Sequence, residues 1–348
     1  MLFKLKLFLL LTIFIPIKEA SAQISAFKNI RNYETYYASA KRNTENWLAI
    51  RHFDDSGKTW LLLVEPRTLN TIVDQANLYQ LKPTTLAEAR ILFTNTAYVN
   101  ALKAAEKQSA TIQDAGIIQA MPKEAGINLT IDLCPSHRVM DRRIFADVFR
   151  EFAKVEPHPP VAISISGLWM KAHEADLKWL KQQVLDGHIF ITRINHTYNH
   201  RVDPEKPLKE NFLLEPGTNI NYEVLETEQA MFRNGLLPSV FFRFPGLVSD
   251  AKLLYEITGF GLIPIGSDAW LAKGQKALPG SIVLIHGNGN EPIGVNDFIN
   301  LLKSEQKNVA QKQWLLYDLR ESLDEEYNQL NPERNPNKQS MVSSFLDA

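Results

Sequence analysis

The sequence predicts an α/β fold built on a mainly parallel sheet, open or closed into a barrel. Two observations carry that expectation. From Asn128 onward, short β-rich runs alternate with amphipathic helical stretches, the pattern of parallel strands joined by crossover helices. The 348 residues, 45% hydrophobic and 22% charged, have a globular composition and length for one large domain or two smaller ones.

The first 22 residues read as a segment outside that fold. Lys4 and Lys6 precede the apolar run LFLLLTIFIPI (7–17), and Ala20-Ser21-Ala22 follows it. A basic start, a short apolar run and an A-x-A site describe a signal peptide, so cleavage is expected after Ala22. No later run is long and apolar enough to span a membrane. Cys134 is the single cysteine, which excludes an intrachain disulfide; with export it points to a bacterial periplasm or the exterior. A formal net charge of −1 gives no excess that would favour nucleic acid.

Residues 23–115 form a small α+β region of unassigned role. The apolar runs 47–51 and 59–64 flank HFDDSGK and predict a hairpin. A helical pattern over 85–107 places Leu86, Ala89, Leu92 and Phe93 on one face. The strand–helix region is expected over 116–327. Its β-rich runs are NLTID (128–132), VAISIS (161–166), HIFITRI (188–194), SVFFRF (239–244), GLIPIG (261–266) and SIVLIH (281–286). Its helical stretches include 141–155, 174–186 and 221–235. The tail, 328–348, is rich in Asn, Glu, Pro, Ser and Lys and reads as disordered.

In such folds reactive residues gather at the C-terminal ends of strands. Asp132 ends the first run, His196 and His200 follow the third, Arg243 ends the fourth, Asp268 follows the fifth and His286 ends the sixth. An i, i+4 histidine pair on a helical turn points both rings to one side, as metal ligation requires. With a third imidazole and two carboxylates on the same rim, the set suits metal-assisted hydrolysis.

Five segments in order, LTIDLCP (129–135), HTYNH (196–200), RFPG (243–246), SDAW (267–270) and LIH (284–286), resemble the motifs of polysaccharide deacetylases, the NodB-homology or carbohydrate esterase family 4 group. The resemblance covers about residues 126–305. It implies a distorted (β/α) barrel and a metal-dependent hydrolase that removes acetyl groups from N-acetylated glycans. By position, Asp132 matches the general base, His196 and His200 the metal-binding histidines, Arg243 the residue that orients the base, and His286 the acid that protonates the leaving amine. Asp268 is expected to orient His286, Trp270 to wall the acetyl methyl, and Pro245 to stiffen the turn after Arg243 beside the substrate. Asn288 and Asn290 are expected to shape a loop next to His286.

One departure matters. The family's third metal ligand would fall at Leu133, which cannot ligate. Three outcomes are open: Asp132 takes that place itself, joining His196 and His200; a neighbour, Cys134, His137 or Asp141, fills it; or the protein is an inactive glycan-binding relative. A lone cysteine is more often a small buried apolar residue. By ligand type the metal is Zn²⁺, with Co²⁺ or Ni²⁺ also acceptable. An amidase or esterase acting on a non-sugar substrate stays open, because fold resemblance alone does not fix substrate.

Overall fold

The computed structural model describes residues 24–108, 112–120 and 125–330. The expected signal peptide and most of the expected tail lie outside these residues.

The chain opens with five strands, β1 (Arg31–Arg42), β2 (Glu45–Asp55), β3 (Lys58–Val64), β4 (Thr71–Gln75) and β5 (Gln80–Pro83). They form an antiparallel sheet in the order β4-β3-β2-β1-β5. The expected hairpin is present but its turn is tighter than the sequence implied. Asp55 pairs with Lys58, so only Ser56 and Gly57 turn the chain, both at positive φ, the geometry that two-residue hairpins need. The expected helix over 85–107 is two helices, α1 (Leu86–Leu92) and α2 (Ala97–Lys107). Asn95 is left-handed and the Thr96 hydroxyl caps the second helix. Ala89 and Phe93 are buried, whereas Leu92 is exposed.

The second part follows the expected alternation: β6 (Gly126–Leu133), α3 (Arg143–Phe152), β7 (Pro160–Ile165), α4 (Gly167–Ala172), α5 (Glu174–Leu185), β8 (Phe190–Asn195), α6 (Ile220–Arg233), β9 (Phe241–Phe242), α7 (Ala251–Gly259), β10 (Ile263–Pro264), β11 (Ala269–Trp270), β12 (Ile282–His286), α8 (Pro292–Ala310), β13 (Leu315–Leu316) and α9 (Leu319–Leu330). The strands pair in parallel in the order β10-β9-β8-β7-β6-β12-β11, with β13 beside β6. This is a distorted (β/α) barrel. The segment 117–120 bridges the end of β10 and the start of β12. Ile117 exchanges backbone hydrogen bonds with Pro264 and Gly266, and the Ile118 carbonyl accepts from Ile282 N. Among the described residues no helix is long and apolar enough to cross a membrane.

Strand alternation sorts β6 into two files. Ile127, Leu129, Ile131 and Leu133 pack outward with Phe145, Val148, Trp169 and Phe298 of the helical layer. Asn128, Thr130 and Asp132 face the other way and form a polar file inside the barrel. The Ser322 hydroxyl donates to Asn128 (2.6 Å), the Thr130 hydroxyl donates to the Val283 carbonyl (2.7 Å), and Arg243 Nη2 donates to the Thr130 oxygen (2.9 Å). Ala162, Ile194, Phe241 and Ile282 share a second core with Leu48, Ile50, Phe53 and Leu62 of the antiparallel sheet, so the N-terminal region shares its core with the barrel.

Candidate active site

β6 and β12 run side by side in a register that sets Asp132 opposite His286. Next along the rim, β8 ends at Asn195 opposite Phe242, so His196 and Arg243 both leave their strands at this level. Parallel pairing thus gathers four residues that are far apart in sequence.

His196 is fully buried, with Nδ1 2.9 Å from the Arg243 carbonyl oxygen. A carbonyl only accepts, so Nδ1 carries a hydrogen and Nε2 faces the site. That Nε2 lies 3.5 Å from Cys134 Sγ and 3.6 Å from Asp132 Oδ2. His200 packs against His196, ring centroids 4.6 Å apart. One ligand atom each of Cys134, His196 and His200 lies within 4.8 Å of the others.

The two histidines do not lie on a helical turn, as their spacing had implied. They bracket a loop in which Thr197 and His200 both have positive φ, a conformation costly for residues with a Cβ. Glu223 of α6 holds that loop. Its carboxylate accepts from the backbone N–H of Tyr198 (2.9 Å) and Asn199 (2.8 Å) and from the Asn199 side chain (2.6 Å). The Tyr198 ring lies over Gly167, where any Cβ would collide with it.

Arg243 is fully buried, and its Nη1 is 3.7 Å from Asp132 Oδ1. Among the described residues Arg243 Nε and Nη1, Asp132 Oδ1 and His200 Nε2 are buried without a hydrogen-bond partner. Burial lowers the Arg243 pKa, and Asp132 opposes that shift. Burial also works against a Cys134 thiolate, but the imidazoles of His200, His196 and His286 outweigh it and hold the thiol well below its usual range. Burial would lower His286 and His200; Cys134 reverses this, raising His200 and, with Glu291, lifting His286 well above the usual imidazole range.

The partner of His286 is not the expected one. Asp268 Oδ1 accepts from Ile282 N (3.1 Å), and Oδ2 accepts from Gln119 (2.6 Å) and Ser281 (3.2 Å). It therefore clamps the start of β12, while His286 ends that strand four residues later, roughly 13 Å away at about 3.3 Å per residue. The carboxylate beside His286 is instead that of Glu291. Its Oε2 is 2.7 Å from His286 Nδ1 and accepts from Trp270 Nε1 at 2.9 Å. Trp270 stands beside His286, ring centroids 5.6 Å apart. Pro245 is buried in a one-turn helix after Arg243, which leaves little of it to touch a substrate. Asn288 is buried and donates to the Cys134 carbonyl (3.0 Å), tying the loop after His286 to the end of β6.

His137 is exposed, and Asp141 is held by Arg143 at 2.6 Å; neither joins the cluster. Glu223 and Glu291 were not singled out from sequence. Glu291 stands in GNGNEP, five residues after His286, and that adjacency was the available signal; nothing local marks Glu223.

The donor set suits a divalent metal. A thiolate, two imidazoles and a nearby carboxylate, buried and partly without hydrogen-bond partners, are the groups zinc takes.

A protein-family profile described as the RP012 protein N-terminal domain matches residues 31–99, which hold the antiparallel sheet and α1. Solved structures similar to the chain include a carbohydrate esterase family 4 pseudoenzyme from Bacillus anthracis, with 16% identity, 61% of this chain and 70% of that chain covered, and a TM-score of 0.42. A family 4 carbohydrate esterase from Streptomyces lividans shares 14% identity over 56% of this chain and 93% of its own, with a TM-score of 0.39. The peptidoglycan deacetylase PdaC from Bacillus subtilis shares 15% identity over 63% and 98%, with a TM-score of 0.40.

Proposed function

We propose that this chain is an exported, metal-dependent hydrolase that removes N-acetyl groups from a glycan. The observation that carries the reading is the convergence of Asp132, His196, His200, Arg243 and His286 at the C-terminal end of one parallel sheet, in the order the deacetylase motifs require. A divalent metal, zinc by ligand type, would be held by His196 and His200 beside the end of β6. When bound it supplies Lewis acidity toward the amide carbonyl and acidifies water.

The chain's own groups then divide the proton work. Asp132, beside the Arg243 guanidinium at 3.7 Å, accepts a proton from the attacking water. His286, aligned by Glu291, donates a proton to the departing amine nitrogen as the carbon–nitrogen bond breaks. Water and amide become acetic acid and free amine: one water proton rests on Asp132, the amine takes the His286 proton, and the remaining water hydrogen leaves as the acid ionises to acetate. Trp270 forms an apolar wall next to His286, and Arg243 and Asp132 share the inner polar file that positions both.

Acetate release from N-acetylglucosamine oligomers, set against simple aryl acetates, tests the reaction and its substrate class. His200→Ala is expected to remove both bound metal and turnover; unchanged acetate release in that variant overturns the reading. Leu133, standing where the family carries a ligand, favours a second reading, an inactive glycan-binding protein. That reading gains if the purified chain binds the oligomers without metal and releases no acetate.

A further inference from the structure

Resting on that reading, we infer that Cys134 is the protein's third metal ligand and that Asp132 is left free to act as base. The argument is one of register. Successive residues of a strand face opposite ways. Ile131 and Leu133 point together into the helical layer: a Cβ built on Gly287 would lie 2.6 Å from Ile131 and 3.1 Å from Leu133. Asp132 and Cys134, two residues apart, point together to the site. In this chain a side chain at position 133 faces away from the histidines, and the side chain at 134 faces them.

The geometry agrees with coordination. Zinc–sulfur and zinc–nitrogen bonds of about 2.3 and 2.05 Å at a tetrahedral angle separate the two ligand atoms by roughly 3.5 Å. Cys134 Sγ and His196 Nε2 are 3.5 Å apart. A thiol–imidazole hydrogen bond alone would give a similar spacing, but two further facts point to a ligand. A ligand atom of His200 also falls within 4.8 Å of both, and its buried Nε2 has no hydrogen-bond partner among the described residues. His196 Nδ1 is already engaged by the Arg243 carbonyl, the outer contact that orients a ligating imidazole. Asp132 Oδ2 lies at a similar 3.6 Å from His196 Nε2, so distance alone does not separate the two; what sets Asp132 apart is that its Oδ1 faces the Arg243 guanidinium at 3.7 Å, a cationic partner suited to a base.

Because the chain has one cysteine, a sulfur signature at the metal is attributable. The experiment loads the full reduced protein with zinc or cobalt. X-ray absorption of the zinc form is expected to show one sulfur at about 2.3 Å, and the cobalt form a thiolate-to-metal charge-transfer band. Cys134→Ser is expected to lose both signatures and to weaken zinc by more than the roughly 10–100-fold that loss of an outer contact costs. Cys134→Asp is expected to retain zinc while losing the sulfur signal, which guards against reading a misfolded variant as a lost ligand. Wild-type protein that binds zinc without sulfur, or Cys134→Ser with full zinc affinity, overturns the cysteine assignment and leaves the hydrolase reading standing. Wild-type protein that binds neither zinc nor cobalt overturns both.

Discussion

Arg51 and Arg243 are both fully buried, and they are treated in opposite ways. Arg51 of β2 is saturated. Its Nε and Nη2 grip Glu228 of α6 at 2.7 and 2.9 Å, and Nη1 donates to the carbonyls of Ile50 and Phe260. The Tyr33 hydroxyl completes the same carboxylate at 2.8 Å. Burial opposes the Arg51 charge, but Glu228 more than compensates and raises its pKa. Among the described residues the Arg243 guanidinium makes one hydrogen bond, to Thr130, and a loose 3.7 Å approach to Asp132. The first arginine locks the antiparallel sheet to the barrel. The second is held in place by its surroundings with hydrogen-bonding capacity to spare, the condition of a group whose partners change during a reaction.

The largest expected effect breaks the first of these. Glu228→Ala leaves a buried guanidinium without its counter-charge and should cost roughly 3–5 kcal/mol in urea unfolding. Replacing both partners, Arg51→Met with Glu228→Leu, should recover much of that loss. Asp132→Asn should cost less stability than Glu228→Ala, because it gives up a 3.7 Å approach rather than two hydrogen bonds, but should lower acetate release by roughly 10²–10⁴ for loss of a general base. Equal destabilisation by Glu228→Ala and Asp132→Asn would erase the distinction between the two arginines.

A smaller effect concerns the acid. Burial works against the His286 imidazolium, while the Glu291 carboxylate, 2.7 Å from Nδ1, favours it and raises its pKa. The protonated form therefore persists as pH rises and is lost only as pH passes through that raised value. Glu291→Gln removes one raising partner, so the alkaline limb of kcat should move to lower pH while acetate release at acidic pH changes less. A limb that stays in place would show that Glu291 only supports the Trp270 loop. Asp268→Asn, at the far end of β12, should leave the limb where it is.

How much of this was readable in the sequence follows from whether the cause is local. β6 was legible because its alternation is written in NLTID, polar inward and apolar outward. The histidines and Arg243 were legible because strand ends in parallel sheets meet on one rim. The break between α1 and α2 was less so, since Asn95 and Thr96 interrupt an otherwise continuous apolar pattern. The partner of His286 was misjudged because Asp268 lies near it by strand order but enters its own strand at the opposite end; depth along a strand is set by register. Glu223 was missed because its role arises from packing α6 against the histidine loop, a contact between residues 24–25 apart in sequence with no local pattern.

The smallest expected effect limits how far the contrast between frame and site extends. Glu156, after α3, belongs to the frame, yet it is not saturated as Glu228 is. Burial, with Glu321 adding to it, pushes its pKa up to about 7, and Lys312 offsets this only in part. Its ordinary value is 4.5, so the folded state binds this proton more tightly than the unfolded chain does. The resulting stability is present below about pH 4.5 and is lost progressively as pH rises through about 7. Glu156→Gln keeps the neutral shape and removes the titration. It should flatten the stability profile across that window and leave the variant more stable than wild type at pH 8. The gain should be below about 1 kcal/mol, since solvent screens a half-buried group. Urea midpoints measured at pH 5 and pH 8 decide it: a wild-type-minus-variant difference that does not change between the two would mean that Glu156 is compensated as fully as Glu228, and that an unsaturated charge in this protein belongs to the site alone.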